Sequence, residues 1–157
     1  MMEQAVVNRS VVVPVSQEVA FERFTAGFGD FKPREHNLLS SPIVSTRFEP
    51  FVGGGIVDVA EDGSECRWAR ILVFEPPSRV VFSWDIGPTW QIETDPDKTS
   101  EVEVRFIAEA PERTRVVLEH RHLERHLQGW EAVRDGIDGE GGWPLYLRRY
   151  AELLDAS

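Results

Sequence analysis

Apolar residues along this chain follow two periods, and the change from one to the other marks the elements. Near the C-terminus, Trp143, Tyr146, Leu147, Tyr150, Leu153 and Leu154 recur at spacings of three and four, with Arg148, Arg149, Glu152 and Asp155 between them. A helix over 141–155 would thus be apolar on one face and charged on the other. Pro144 suits the first helical position, where a missing N–H costs nothing. Trp143, Tyr146 and Tyr150 make the apolar face broader than a coiled-coil seam, so the helix is expected to lie across a large concave partner able to enclose a cavity.

Between residues 43 and 122 the pattern is one of short β-rich runs separated by turn residues, which predicts six strands near 44–50, 55–59, 65–74, 79–86, 101–109 and 114–122. The turns are explicit: Glu61-Asp62-Gly63, Glu75-Pro76-Pro77-Ser78, a longer loop at Asp95-Pro96-Asp97-Lys98, and Pro111-Glu112-Arg113. Strands joined this tightly are antiparallel. Val102, Val104, Phe106 and Ala108 share one face of their strand, as do Val116, Leu118, His120 and His122 in the next. A valine-rich run at 6–13, stopped by Pro14, precedes them as a first strand. Ser16 then offers an N-cap to an apolar stripe of Val19, Ala20, Phe21 and Phe24 that runs out at Gly27. Phe28, Phe31, Leu38 and Leu39 belong to a second short helix or an irregular turn. Residues 123–142 predict a short helix at 128–134 and then a flexible Gly-rich approach to the last helix. The order is strand, two short helices, six antiparallel strands, long helix. It defines an α+β fold with a curved seven-stranded antiparallel sheet around the C-terminal helix, using residues 1–157 as one domain.

Composition narrows the partners. At 157 residues and 41% hydrophobic, the chain holds enough material for one sizeable core. A net charge of −10 repels phosphate backbones and anionic lipid heads, so neither nucleic acid nor a membrane surface is expected as a partner. No apolar run approaches the roughly 20 residues needed to span a bilayer, and the N-terminal MMEQAVVNRS lacks the pattern of a signal peptide. The single cysteine, Cys66, fits a reducing compartment, and a cytoplasmic location is expected. Gly53-Gly54-Gly55 lies between two strands and does not match a phosphate loop; it is read as a turn.

Several features resemble those of a known family. Phe74-Glu75-Pro76-Pro77 is followed by Val81-Phe82-Ser83-Trp84, Thr114-Arg115-Val116 leads to Leu118-Glu119-His120, and Gly129-Trp130 precedes Gly142-Trp143-Pro144. In these motifs and in element order the chain resembles the START-like (SRPBCC) helix-grip superfamily, in its bacterial branch related to the C-terminal domain of the activator of Hsp90 ATPase. The resemblance implies a pocket between the concave face of the sheet and the C-terminal helix, and on that basis Trp68, Trp84, Phe106, Leu118, His120, Trp143, Tyr146 and Tyr150 are the candidate pocket residues. The family includes lipid and hormone binders, polyketide cyclases and co-chaperone domains, and fold alone does not choose among them.

The candidate chemistry is thin. On a strand His120 and His122 would share a face, a usable metal spacing with Glu119 or Glu124, but no third ligand is defined, so neither metal nor cofactor is expected. Cys66 and Arg67 point to opposite strand faces, which leaves Cys66 a structural thiol. Arg70, if inward, would anchor an anion; outward and solvated is the ordinary state of arginine. Five tryptophans bring N–H groups that need partners when buried, and several together favour a cavity admitting polar ligand groups. The leading expectation is a binding module for a small apolar or amphipathic molecule. A cyclase or hydrolase with His120 or a nearby Glu as general base is the alternative, and catalytic residues are not assigned. A chaperone-binding role is not expected to extend to Hsp90 activation, because one domain uses the whole chain and the activator's separate N-terminal domain has no counterpart. A homodimer is left open.

Overall fold

The computed structural model describes residues 5–155. Seven strands, β1 (Val7–Val13), β2 (Ile43–Phe48), β3 (Gly55–Ala60), β4 (Glu65–Glu75), β5 (Arg79–Trp84), β6 (Ser100–Ala110) and β7 (Arg113–Arg121), form one antiparallel sheet in the order β1-β7-β6-β5-β4-β3-β2. Every pairing except β1 with β7 joins strands consecutive in sequence, as the short turns require. Register shifts in β3–β4 and β4–β5 add local twist where the sheet bends around its contents. Three α-helices accompany it: α1 (Gln17–Phe24), α2 (Trp130–Asp138) and α3 (Trp143–Asp155), of which α3 is the C-terminal helix.

Local chemistry explains the elements. Ser16 caps α1 through the Val19 N–H. The second short helix contracts to a single 3₁₀ turn, Phe28–Asp30, because Gly27, Gly29 and Pro33 leave no room for a longer one. Two expectations need correction. The Gly-rich segment read as flexible is helical as far as Asp138, since Val133 and Ile137, one turn apart, are both buried and their packing outweighs the poor helix propensity of Gly136. His122 does not share a strand face with His120; β7 ends at Arg121, and His122 adopts a left-handed conformation that turns its side chain toward solvent.

Inward residues of β5, β6 and β7, namely Val80, Phe82, Val102, Val104, Phe106, Val116 and Leu118, meet α1 and the buried side of α3. The opposite face of these strands carries an ion-pair lattice in which Glu103, itself buried, receives Arg79 at 3.1 Å and closer bonds from Arg105 and Arg121. Burial alone would raise the Glu103 pKa, but those guanidinium bonds hold it down at about 2. Gly142 joins α2 to α3 where a Cβ would sit 2.1 Å from the Ile137 carbonyl oxygen, so only glycine fits the junction.

Candidate functional site

A cavity of about 440 Å³ opens beside the N-terminal half of α3. Its walls come from β4 (Trp68), β5 (Trp84), α3 (Trp143, Tyr146), the segment after the 3₁₀ turn (Lys32, His36, Asn37, Leu38), the loop after β5 (Ile86, Trp90), Asp58 of β3, and the α2–α3 junction (Gly136, Ile137, Gly141, Gly142). The rings stack in sequence: Trp68 lies edge-on to Trp84 at 5.4 Å, Trp84 to Trp143 at 5.4 Å, and Trp143 is tilted against Tyr146 at 4.9 Å. Trp90 is 51% exposed with a positive φ, and Gly136 accommodates its ring where a Cβ would stand 3.2 Å from it.

Of the eight candidate pocket residues, Trp68, Trp84, Trp143 and Tyr146 line this space. Phe106, Leu118, His120 and Tyr150 stand outside its wall, in the packed core. Tyr150 donates to the Ala20 carbonyl at 2.6 Å and packs against Phe24 and Phe31, while Phe106 packs against Phe21 and Phe24. His120 sits behind Trp143, whose indole N–H donates to His120 Nδ1 at 3.1 Å. Because an indole can only donate, that Nδ1 is an acceptor and the proton lies on Nε2. His120 Nε2–H then donates to Ser100 Oγ at 2.6 Å, and the Ser100 hydroxyl is free to donate to His126 Nε2 at 2.8 Å. Burial, with the neighbouring His126, drives the His120 pKa well below the ordinary histidine value, so the chain is neutral. It braces the ring of Trp143 from behind. Arg70 grips Asp85 through two bonds of 3.2 Å and Thr99 at 3.0 Å; it does not line the cavity.

Sequence reasoning missed the polar wall. Lys32 is buried, with Nζ 2.8 Å from Asp58 Oδ2 and 2.6 Å from the His36 carbonyl oxygen, and it stands 5.9 Å from the Trp68 ring centroid. Burial lowers its pKa while Asp58 resists the shift. Thr46 donates to the other Asp58 oxygen at 2.7 Å. His36 Nδ1 and the Tyr146 hydroxyl are 3.1 Å apart. Burial, then the charge of Lys32, lowers the His36 pKa, whereas burial raises that of Tyr146, so both are neutral near pH 7. One signal was available: Asp58 occupies the same strand face as Ile56 and Ala60, and a carboxylate at a core position demands a partner. Among the described residues no group of three or more His, Cys, Asp and Glu side chains is placed to hold a metal ion, and no helix is long and apolar enough to cross a membrane.

A curved antiparallel sheet closed by a C-terminal helix, with a cavity between them, is the START-like helix-grip architecture. The chain belongs to the family of Activator of Hsp90 ATPase homolog 1-like proteins, whose family model matches residues 19–155. It is similar to the anthrahydroquino-gamma-pyrone synthase Txn09, with 39% identity over 96% of this chain and 97% of that one, at a TM-score of 0.68. It is also similar to CalC from Micromonospora echinospora, a self-sacrificing resistance protein, with 25% identity over 98% and 96% of the two chains and a TM-score of 0.66. An HSP90 activator from Plasmodium falciparum shares the fold at 18% identity, 96% coverage of both chains and a TM-score of 0.61. No curated protein matches the chain.

Proposed function

We propose that this protein binds a flat, largely apolar aromatic molecule in the cavity beside α3. The observation that carries the reading is the stack of Trp68, Trp84, Trp143 and Tyr146 along one side of a space of about 440 Å³, with Trp90 at its margin. Such a volume suits a fused-ring ligand, and aromatic walls with a few polar groups are what small-molecule sites use for affinity and orientation. Titration with anthraquinone tests this through indole fluorescence. Saturable quenching, weakened by Trp84→Ala or Trp143→Ala, is the expected result; a flat response would refute it.

The relation to Txn09 favours a second reading, in which the bound molecule undergoes ring closure in the same cavity. His36, neutral and hydrogen-bonded to Tyr146, then replaces His120 as the candidate acid–base group, because it lines the cavity and His120 does not. Conversion of a hydroxyaryl enone to its cyclic ketone, followed by absorbance with and without the protein, separates a catalyst from a carrier. Kinship with Hsp90 activators at the level of fold adds no chaperone role.

A further inference from the structure

The loop between β5 and β6 has fixed ends and a lightly held tip. Arg70 of β4 ties its first residue to its last: the guanidinium donates to both Asp85 carboxylate oxygens at 3.2 Å and to the Thr99 hydroxyl at 3.0 Å, and Asp85 and Thr99 are both buried. A bidentate grip on a carboxylate fixes geometry as well as adding energy. From that stem, residues 85–93 form a small hairpin closed by its own backbone bonds, Glu93 N–H to the Asp85 carbonyl at 2.7 Å, Gly87 N–H to Gln91 at 2.9 Å and Trp90 N–H to Gly87 at 2.9 Å. The tip leans on α2 at two glycines. Pro88 lies against Gly129 and the Trp90 ring against Gly136, each so close that a Cβ on the glycine would stand 3.2 Å from it. Gly136 lowers the helix propensity of α2, and Trp90 holds a left-handed φ of 60°, which a bulky side chain seldom adopts. Two local departures thus meet at one contact, and outliers of this kind cluster at ligand clamps and switch regions.

The same ring stands at the mouth of the cavity. Trp68, Trp84, Trp143 and Tyr146 are buried at its floor, whereas the exposed residues of the lining are His36, Leu38, Trp90, Gly136 and Gly141. The opening therefore lies between the segment after the 3₁₀ turn on one side and Trp90 with α2 on the other. Building on the aromatic-ligand reading above, we infer that the hairpin carrying Trp90 is the gate of this cavity. It pivots on the Arg70 stem, Trp90 resting on Gly136 is its closed position, and a fused-ring molecule enters and leaves when that contact opens. Closure of a loop over a bound molecule shuts out water and sets the rate of exchange. The division of labour follows from burial: the stem is anchored inside the protein, and the moving part is the half-exposed tip.

The test is stopped-flow quenching of tryptophan emission by 2-hydroxyanthraquinone in the full chain, which yields association and dissociation rate constants separately. Gly136→Ala shifts the Trp90 ring from its seat, removes no contact with the dye and favours the helix. Both rate constants are expected to rise by about threefold or more, with their ratio, the affinity, nearly unchanged. Trp90→Ala removes the gate and a wall contact together, so association is again faster and dissociation rises further. Loss of a wall contact alone would speed dissociation and leave association as it was, because substitutions in a preformed site act mainly on the off-rate. Circular dichroism confirms that each variant is folded. An association rate constant unchanged or slowed in either variant overturns the gate and leaves the cavity reading standing. Absence of saturable quenching in the unmodified chain overturns both.

Discussion

The two ends of α3 face interiors of different kind. Toward its C-terminus, Tyr150 and Leu154 are buried in a packed core, where Tyr150 contacts Phe24 and Phe31 and its hydroxyl is bonded to the Ala20 carbonyl. Toward its N-terminus, Trp143 and Tyr146 face a cavity whose wall includes the Trp68 and Trp84 rings and the buried ion pair of Lys32 with Asp58. The same helix and the same residue types serve both ends. At both ends the polar tips find partners within the protein, Tyr150 on the Ala20 carbonyl, Trp143 on His120 and Tyr146 beside His36; what separates the ends is whether the rings meet packed side chains or open space. Open space walled by aromatic rings and a few polar groups is where a small molecule can be held.

The largest expected effect tests whether the open end is really shielded from water. Asp58→Ala leaves the Lys32 ammonium buried without its carboxylate and should cost about 3–5 kcal/mol in urea denaturation. A loss below about 1 kcal/mol would mean that water reaches the pair and that the two ends differ less than described. At the packed end, Phe24→Ala should cost about 3–5 kcal/mol and leave the affinity for anthraquinone nearly unchanged.

Next in size is a pH effect at the boundary between the ends, where the His120 chain supports Trp143. The folded-state pKa of His120 is lowered, first by burial, and those of His126 and His36 are lowered in the same direction by burial. The unfolded chain therefore binds more protons than the folded one once pH falls below about 6.5, and stability is lost from there downward, at up to about 1.4 kcal/mol per pH unit for each histidine. Glu103, held at about 2, adds a separate loss between its ordinary value and that limit. Urea midpoints at pH 7.5, 6.5 and 5.5 check the first window; a flat profile there would contradict the neutral histidine chain. The smallest effect belongs to Trp90→Ala, which should alter stability by no more than about 0.5 kcal/mol, because the ring is half exposed, yet weaken anthraquinone binding measurably.

The strands and α3 were legible in the sequence because period-2 alternation and three-and-four spacing report directly which face is buried. The extent of α2 was not, since Gly136 and the glycines after it look like a linker until Val133 and Ile137 are seen packing inward. Within the candidate site, the rings carried by strands and α3 were named by setting the residue pattern against the family resemblance, which supplied the place of the pocket. Lys32, His36 and Trp90 could not be named, as they lie on irregular segments where no period tells which way a side chain points. His120 was readable as an inward residue, but alternation gives the face of the sheet and not the depth along α3 at which packing gives way to a cavity.

The central claim, that the N-terminal end of α3 borders a ligand site, is tested most directly by the indole N–H resonances of the ¹⁵N-labelled protein during titration with 2-hydroxyanthraquinone. Trp68, Trp84, Trp90 and Trp143 line the cavity, whereas Trp130 lies outside it and stacks with Arg134 at 5.2 Å. The expected result is that the signals of the four cavity tryptophans shift together and saturate while that of Trp130 stays in place. Movement of Trp130 alone, or of none of the five at saturating dye, would contradict the account.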